Sequence, residues 1–389
     1  MDPRKNPYTP GAGAPPHELA GREAQIEQFE VLIARLKDGR PEQSMIVRGL
    51  RGVGKTVLLN AFEDRAAELD YLSFYHELTP ESQILKEITR DLQFALLELD
   101  LGAKAIEKLK AGLRPLRQLR VSYEGFEISL PPEAERTEDD LSADLSLLFL
   151  AVGQAAIQKN RGVVMLFDEA QFASEIEYRA LISALHRATQ KKVPIAVVAA
   201  GLPQMPKLTG DARSYAERLF TFPIIGALPP EEAVEAFVKP AKDSGVEYTE
   251  GAIHAAMEWT QGYPFYIQQL GKSCWNLAPG GTTLIDQELL EAAFDDAQTV
   301  LDEGIYDVRV QRASDKEKQF MRAMAELGPG PYKIGEVASL MGRKTPGVSL
   351  VRQNLIEKGL IYATEEHGKI DFTIPRFHEF MVRFMGMPD

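Results

Sequence analysis

Over residues 24–228, segments with apolar residues at helical spacing alternate with short runs that are entirely apolar. Residues 24–37 place Ile26, Phe29 and Ile33 at helical intervals, whereas residues 163–167 are apolar throughout. A run without alternation is typical of a strand covered on both faces of a parallel sheet. The same criteria predict strands at 44–47, 71–75, 163–167, 195–200 and 219–225, and helices at 24–37, 57–69, 80–112, 141–159 and 175–190. Strands that alternate with helices predict an α/β fold with a parallel sheet.

Three stretches depart from this alternation. Residues 1–20 are rich in Pro, Gly and Ala and predict an extended arm. Residues 119–130 alternate around a central Glu-Gly pair, which predicts a hairpin, and a Pro/Glu/Asp-rich stretch follows at 131–140. Residues 229–312 predict a small helical lid, since helical windows occur at 231–242, 249–259, 264–277 and 286–301 and no strand is evident.

The last part of the chain has the pattern of a winged helix-turn-helix. Helical spacing at 315–327, 334–341 and 347–358 precedes two predicted strands within 360–374. The predicted organisation is therefore an N-terminal arm (1–20), an α/β core (21–228), a helical lid (229–312) and a winged-helix domain (313–389).

The composition of the chain argues against several classes of protein. Its 389 residues are 44% hydrophobic and 26% charged, and no uncharged apolar run is long enough to span a membrane. The first residues have no apolar segment of the secretory type, so we expect a cytoplasmic protein without a membrane partner. A single cysteine, Cys274, and six scattered histidines argue against a disulfide scaffold and against structural zinc.

The net charge of -13 argues against a surface that is basic all over, as for general nucleic-acid binding. The charge is unevenly distributed. Residues 314–389 contain 11 Lys/Arg and 10 Asp/Glu, which leaves +1 on this segment and -14 on the rest. Local contact with nucleic acid and an ordinary solvated surface are both compatible with this distribution.

Residues 49–56 (GLRGVGKT) match the P-loop pattern G-x-x-x-x-G-K-[ST]. In this motif Gly52 and Gly54 let backbone amides curve around the β-phosphate, Lys55 reaches the β- and γ-phosphates, and Thr56 ligates magnesium. A chance match is the alternative, but the predicted strand before the motif and helix after it favour the phosphate site.

A second candidate element is the apolar strand that ends in Asp168 and Glu169. Asp168 would complete the magnesium shell beside Thr56, and Glu169 would orient and deprotonate the attacking water. Acidic residues often occur at strand ends that face solvent. This strand therefore indicates a catalytic site only in combination with the P-loop.

Together these motifs resemble AAA+ type ATPases, and the resemblance covers nearly the whole chain. It rests on GLRGVGKT, VVMLFDEA, an Ala-Gly-Arg-Glu helix start, a helical lid and a terminal winged helix. The groups that the chain resembles are the origin-recognition initiators and the STAND and archaeal-ATPase lineages, including a bacterial set known only as ATP-binding proteins. The resemblance implies ATP or ADP with Mg²⁺, held by Gly49, Arg51, Gly52, Val53, Gly54, Lys55, Thr56 and Val57, with Leu19, Ala20, Gly21 and Arg22 at the base. A simple helix start remains the alternative for residues 21–23.

Two departures from the AAA+ pattern bear on hydrolysis. The strand after the Asp-Glu strand usually ends in a polar residue that contacts the γ-phosphate, whereas residues 197–203 offer none before Gln204. The lid of initiators carries an arginine where residues 262–265 read GYPF. STAND ATPases use Gly-x-Pro there, which makes Tyr263 and Pro264 candidates beside the adenine. A proline in the first turn of a helix is the alternative.

An arginine that contacts the γ-phosphate in AAA+ proteins, from a neighbouring subunit or within the chain, precedes the last core strand. Arg213 and Arg218 stand at that place here, and Arg218 fits better. It would act in catalysis with Lys55, Asp168 and Glu169, and a contribution from a neighbour would imply a homo-oligomer. An ordinary surface arginine is the alternative.

The winged helix leads to two functional hypotheses. Lys344, Ser349, Arg352 and Gln353 on the recognition helix, with Lys369 in the wing, are of the types that contact phosphates and base edges. The first hypothesis is an ATP-dependent switch that engages double-stranded DNA. The second is a slow or inactive nucleotide-binding scaffold whose winged helix binds a protein. A metabolic kinase is a weaker alternative, because no acceptor-substrate site is evident.

Overall fold

In the computed structural model, a parallel sheet of five strands forms the centre of the N-terminal half, with strand order β2-β5-β6-β1-β7. The structure describes residues 1–11, 13–17, 19–99, 119–122, 125–128, 138–212 and 216–385. The five strands are β1 (Ser44–Arg48), β2 (Tyr71–Glu77), β5 (Gly162–Asp168), β6 (Ile195–Gly201) and β7 (Phe220–Thr221). This confirms the predicted α/β fold.

Helices cover both faces of the sheet. They are α1 (Glu23–Lys37), α2 (Lys55–Glu68), α3 (Ile84–Glu98), α4 (Glu138–Gln158), α5 (Glu175–Gln190) and α6 (Met205–Ala212). In β5, Val163 and Met165 face the core that includes α3, α4 and α5, whereas Val164 and Leu166 face the core of α1 and α2. Burial on both faces explains why this strand is apolar without alternation.

One helix segment, Leu141–Gln158, has the length and apolar composition of a membrane span. Leu148, Phe149 and Val152 of this segment are buried, and the helix packs against α3 and α5. Half of the segment is buried inside the protein. Its apolar character therefore has an explanation as a core helix.

The described elements of the core agree with the prediction except at the last strand. The last predicted strand, 219–225, is reduced to Phe220–Thr221, with a separate bridge between Arg48 and Ile224. The predicted hairpin forms from β3 (Leu119–Ser122) and β4 (Gly125–Ile128). The helical prediction beyond residue 99 and most of the stretch 131–140 lie outside the described residues.

The lid region consists mainly of helices, as predicted. These are α7 (Pro230–Asp243), α8 (Glu250–Thr260), α9 (Pro264–Leu277), α10 (Gln287–Glu291) and α11 (Phe294–Leu301). The expectation of no strand there is wrong, because β8 (Glu247–Tyr248) and β9 (Leu284–Ile285) pair in parallel. A π-helical segment, Asp302–Asp307, and a short helix α12 (Val308–Val310) lead into the C-terminal unit.

The C-terminal unit contains the three predicted helices and the predicted strand pair. Its helices are α13 (Asp315–Glu326), α14 (Ile334–Leu340), α15 (Ser349–Glu357) and α16 (Phe377–Phe384), the last of which the sequence pattern did not indicate. The strands β10 (Tyr332–Lys333), β12 (Lys369–Phe372) and β11 (Ile361–Ala363) form an antiparallel sheet in that order. Val348 and Leu355 are buried in this unit.

The N-terminal arm is docked onto the lid. Tyr8 is only 2% exposed, and its hydroxyl donates to the Phe237 carbonyl at 2.5 Å and lies 2.9 Å from the Tyr248 hydroxyl. The Trp275 indole donates to the Asp2 carbonyl at 3.1 Å. The arm therefore has fixed contacts with the lid, and the residues after Tyr8 are carried toward the carboxyl edge of the sheet.

Candidate nucleotide-binding site

A cavity of about 620 Å³ lies at the carboxyl ends of β2 and β5, beside the P-loop. Ligands of open α/β sheets bind at this edge. The walls include residues of the P-loop, the N-terminal arm, the start of α9, the segment that joins the lid to the C-terminal unit, and the C-terminal unit itself. The cavity is thus assembled from residues far apart in sequence.

The P-loop has the backbone that its glycines allow. Gly52 and Gly54 have φ of +78° and +90°, a left-handed region that favours glycine. The lid closes directly on this loop, because the Phe265 amide donates to the Gly52 carbonyl at 3.3 Å. Helix α2 then begins at Lys55, so its N-terminal amides and its dipole are directed at the cavity.

The Lys55 ammonium is buried, and its hydrogen-bond partners among the described residues are carbonyl groups. Its Nζ donates to the carbonyls of Gly49 at 3.0 Å and Leu50 at 2.8 Å. Burial lowers the pKa of Lys55 to about 8, although the charges of Glu169 and Asp168 raise it in part. A buried cation without a direct carboxylate partner is costly unless an anion accompanies it. The phosphates of a nucleotide would supply that anion.

Thr56 and Asp168 lie together where the sequence predicts a magnesium site. The Thr56 hydroxyl donates to Asp168 Oδ2 at 2.5 Å, and the Tyr75 hydroxyl donates to the same oxygen at 3.3 Å. Asp168 is 3% exposed. A hydroxyl and a carboxylate are hard oxygen donors of the kind that Mg²⁺ prefers, so this pair fits the ion.

Glu169 follows β5 with a left-handed backbone, φ +50°. Both of its carboxylate oxygens have partners: Arg51 Nη1 at 2.9 Å from Oε1, and the Gln171 amide, which donates to Oε2 at 2.5 Å. A left-handed non-glycine residue is a strained conformation of the kind found at functional sites. Each oxygen keeps a second lone pair, but the two contacts hold the carboxylate in one orientation.

The residues predicted beside the base divide into two groups. Leu19, Ala20, Tyr263 and Pro264 line the cavity, as do Val53 and Val57. Arg22 also lines it, but its guanidinium donates to the carbonyls of Val53 at 3.0 Å and Gly226 at 2.9 Å, so it holds the P-loop to the lid connection.

Gly21 and Gly49 are predicted contacts that the described lining does not include. Gly21 has φ +65°, and a Cβ there would lie 3.2 Å from side-chain atoms of Leu228 and Glu232. At Gly49 a Cβ would lie 2.3 Å from the Ile225 carbonyl oxygen. Each glycine permits a close approach of chain segments, which positions the site without forming its surface.

Arg218 is exposed and is absent from the described residues that line the cavity. The alternative in which it contacts nucleotide within its own chain therefore has no support from the structure, and contact from a neighbouring copy stays a prediction. Arg213 lies outside the described residues. Gln204 follows β6 and is likewise not among the described lining residues.

The sequence pattern missed several parts of the cavity. Thr9, Gly11 and Gly13 of the arm contribute to it, and a Cβ on Gly13 would lie 2.9 Å from Thr56 Cγ2. Arg309 and Arg312 also line it. No motif marks these residues, because they reach the P-loop only through the packing of arm, lid and core.

The C-terminal unit touches the P-loop directly. The Arg51 amide donates to the Thr373 carbonyl at 2.9 Å, and Arg48 forms an ion pair with Glu365. Ile374 and Pro375 line the cavity itself. The P-loop is therefore in direct contact with the C-terminal unit, so a conformational change in the loop would act directly on that unit.

The candidate DNA-contacting residues lie on and near α15. Lys344 and Ser349 are exposed, and Arg352 is half-buried. Gln353 donates to Glu357 Oε1 at 2.9 Å, and Lys369 forms an ion pair with Glu366 at 2.5 Å. Two of the five candidates thus already have an acidic partner on the same unit.

Comparison with known proteins identifies the core. Residues 18–198 match the AAA ATPase domain model, and residues 303–381 match a domain of unknown function, DUF8462. No curated protein matches the sequence at a significant level.

The fold is similar to that of a Walker-type ATPase of Pyrococcus abyssi, with 16% identity and a TM-score of 0.53 over 92% of this chain and 95% of that one. Weaker similarity extends to the Aeropyrum pernix Orc1 protein in complex with DNA (13% identity, TM-score 0.44, 95% and 94% covered). The Thermotoga maritima RuvB Holliday junction branch migration motor is at a comparable level (15% identity, TM-score 0.46, 97% and 100% covered). Residues 18–198 are thus similar in sequence to AAA ATPase domains, and the fold is similar to that of a Walker-type ATPase.

Proposed function

We propose that the cavity binds Mg-ATP and that the chain hydrolyses it slowly, as a nucleotide-dependent switch. The observation that carries this proposal is the buried Lys55 ammonium in a cavity at the carboxyl edge of the sheet. Within the described ranges of the chain, its hydrogen bonds go only to the carbonyls of Gly49 and Leu50. Phosphates would take over those two hydrogen bonds and provide the missing negative charge. ADP would occupy the same loop after hydrolysis.

Each side chain has a defined task in this proposal. The amides around Gly52 and Gly54 and the N-terminus of α2 hold the β-phosphate, and Lys55 neutralises charge between the β- and γ-phosphates. Thr56 and Asp168 would hold Mg²⁺, which supplies charge neutralisation at the phosphate oxygens when bound. Glu169, once released from Arg51, would orient water in line with the γ-phosphate and accept its proton.

The expectation of slow turnover has two supports. The segment after β6 provides no polar side chain to the described cavity lining, and Glu169 is held by both Arg51 and Gln171. Hydrolysis would then depend on a rearrangement of these contacts, which is consistent with a switch.

The test is nucleotide binding by the full chain and by Lys55→Ala. Calorimetry with Mg-ATP should give a saturable isotherm for the wild-type chain and none for the variant. Lys318→Ala, which removes a cation from the C-terminal unit, is the matched control and should bind as the wild type does. Equal affinity in wild type and Lys55→Ala would refute the assignment.

For the C-terminal unit we propose a winged helix that engages double-stranded DNA through Lys344, Ser349, Arg352, Gln353 and Lys369. Because phosphate contacts give a salt-dependent affinity, the double variant Lys344→Ala and Arg352→Ala should weaken duplex binding across sequences and reduce the salt slope. Binding is measured on the full chain with and without ATP, at two salt concentrations. Failure to bind duplex at low salt in either state would end this proposal.

A second candidate function for the C-terminal unit is the binding of a protein. It is favoured by Leu350 on α15, which is 71% exposed, and by Leu340 on α14, which is 55% exposed. Exposed leucines on the face expected to meet DNA are more typical of a protein contact. Loss of a partner on Leu350→Asp, with duplex binding absent, would establish this alternative.

Assembly and location belong to the same proposal. Arg218 lies beside the edge strand β7 and is exposed, so we propose that it reaches the γ-phosphate of a neighbouring copy in a homo-oligomer. Mixing Arg218→Ala chains with Glu169→Gln chains should restore turnover only if the arginine acts between copies. A cytoplasmic location is expected, and cell fractionation tests it.

A further inference from the structure

The cavity lining carries more positive than negative side chains. Its cations are Arg22, Arg51, Lys55, Arg309 and Arg312, and its acids are Glu77, Asp168 and Glu169. Three cations in this set have partners within the protein: Arg22 and Lys55 donate to backbone carbonyls, and Arg51 forms an ion pair with Glu169. The excess of positive charge means that the cavity is suited to an anion.

Arg309 is the notable member of this set. Within the described part of the chain, no hydrogen bond or ion pair engages its guanidinium. Burial and, to a lesser extent, the charge of the nearby Arg51 lower the pKa of Arg309 to about 10, against the opposing effect of Glu169. Arg309 therefore stays a cation at neutral pH. The five N–H donors of this half-buried guanidinium are therefore available to an acceptor in the cavity.

Arg309 reaches the cavity from the connection between the lid and the C-terminal unit. It follows the π-helical segment Asp302–Asp307, and π-helical turns are frequent at functional sites. Tyr306 in that segment is 1% exposed, and its hydroxyl lies 2.6 Å from the Tyr266 hydroxyl and donates to the Pro375 carbonyl at 3.2 Å. These hydrogen bonds connect the segment that precedes Arg309 to Tyr266 of the lid and to Pro375 of the C-terminal unit.

Arg309 shares the wall of the cavity with Arg51 and Glu169. Its electrostatic neighbours are Arg51 and Glu169, and Glu169 is the residue that would face the attacking water. The P-loop amides and Lys55 surround the position of the β-phosphate. A group at the Glu169 end would therefore contact a triphosphate and have little to bind in a diphosphate.

We propose that Arg309 is a ligand of the terminal phosphate, supplied within the chain from the connection between lid and C-terminal unit, and that it makes the protein prefer ATP to ADP. This inference rests on the proposed nucleotide function. It also gives the terminal phosphate a direct mechanical link to the C-terminal unit, through the Tyr306 contacts to Tyr266 and Pro375. Arg309 would thereby supply a lid-side arginine to the nucleotide, which residues 262–265 do not provide.

The test compares the dissociation constants of a non-hydrolysable ATP analogue and of ADP, both with Mg²⁺, for the full chain. Arg309→Ala should weaken the triphosphate about 10- to 100-fold, as expected for the loss of a charge-assisted hydrogen bond, and should change ADP affinity by less than about threefold. Arg309→Lys keeps the charge without the planar fork and should lose part of the triphosphate preference.

Lys316→Ala is the control for the loss of one positive charge, because Lys316 is exposed on α13 of the same unit. It should leave both affinities unchanged, and circular dichroism checks that every variant is folded. If Arg309→Ala is not folded, the result of Arg309→Lys decides. Equal losses for both nucleotides, or no loss, would overturn the role of Arg309. If the wild-type chain binds neither nucleotide, or if Lys55→Ala binds normally, the proposed function itself fails, and the two failures are therefore distinguishable.

Discussion

Replacement of Gly271 by alanine should undock the N-terminal arm. The ring of Tyr8 lies directly against Gly271, and a Cβ at that position would be 2.4 Å from both Cδ1 and Cε1 of the ring. The ring has no room to move away, because Phe237 and Tyr248 pack on it and its hydroxyl is bonded to both. A contact this short must move either helix α9 or the arm.

The magnitude follows from the burial of Tyr8. Loss of a fully buried aromatic side chain from its pocket costs about 3–5 kcal/mol. A glycine-to-alanine change inside a helix such as α9 by itself adds about 1 kcal/mol of stability. The free energy of unfolding should therefore fall by about 2–4 kcal/mol. Nucleotide affinity should fall as well, because the arm from Thr9 to Pro16 forms part of the cavity wall.

Three measurements check this prediction. Urea unfolding gives the change in stability, trypsin cleavage after Arg4 and Lys5 reports release of the arm, and calorimetry gives the ATP dissociation constant. Gly210→Ala in α6 is the control, since a Cβ there meets nothing within 4 Å among the described residues, and it should be neutral or stabilise by up to about 1 kcal/mol. If Gly271→Ala behaves like Gly210→Ala in all three measurements, the arm does not depend on this contact.

Three further predictions concern proton chemistry. Glu169→Gln should retain ATP binding and lose at least about 100-fold in turnover, since an amide cannot accept the proton of water; unchanged turnover would place the base elsewhere. Because the pKa of Lys55 in the free protein is lowered to about 8, ATP affinity should fall above pH 8, by up to about tenfold per pH unit. Calorimetry from pH 7 to 9 measures this, and a constant affinity over that range would contradict the prediction. Burial raises the pKa of Asp371 to about 6, so the native state binds more protons than the unfolded state between about pH 4 and 6 and loses stability as the pH rises through that window. In urea unfolding, Asp371→Asn should therefore raise the free energy of unfolding by about 1 kcal/mol at pH 8, after allowance for partial exposure, and leave it unchanged at pH 4. Equal stability of the wild type and the variant at pH 8 would show that the buried charge has no such cost.

Much of the core was predictable because its signals are local. The P-loop glycines, the apolar β5 and the Asp-Glu pair that follows it are contiguous in sequence, and the chemistry depends on that contiguity. Helix α5 was predicted with its observed ends, 175–190. Its first turn carries a capping box in which Ser174 and Glu177 bond to each other's backbone amides.

Predictions were less successful where an element depends on its neighbours. Residues 219–225 have the composition of a strand, but only Phe220–Thr221 pairs with β1 at the edge of the sheet. The strands β8 and β9 are two residues each, too short for a period to appear in the sequence. Their pairing is decided by the packing of the lid helices.

The amino-acid sequence by itself determined the phosphate-binding loop, the carboxylates opposite it and the α/β fold that carries them, because those features are encoded by residues within one strand-loop-helix unit. The tertiary structure alone decided what surrounds the loop. Tyr8 meets the Phe237 carbonyl across 229 residues of sequence, and Arg309 enters the cavity from the connection behind the lid. Contacts over such separations depend on how arm, lid and C-terminal unit pack against the core, and no local periodicity or motif records that packing.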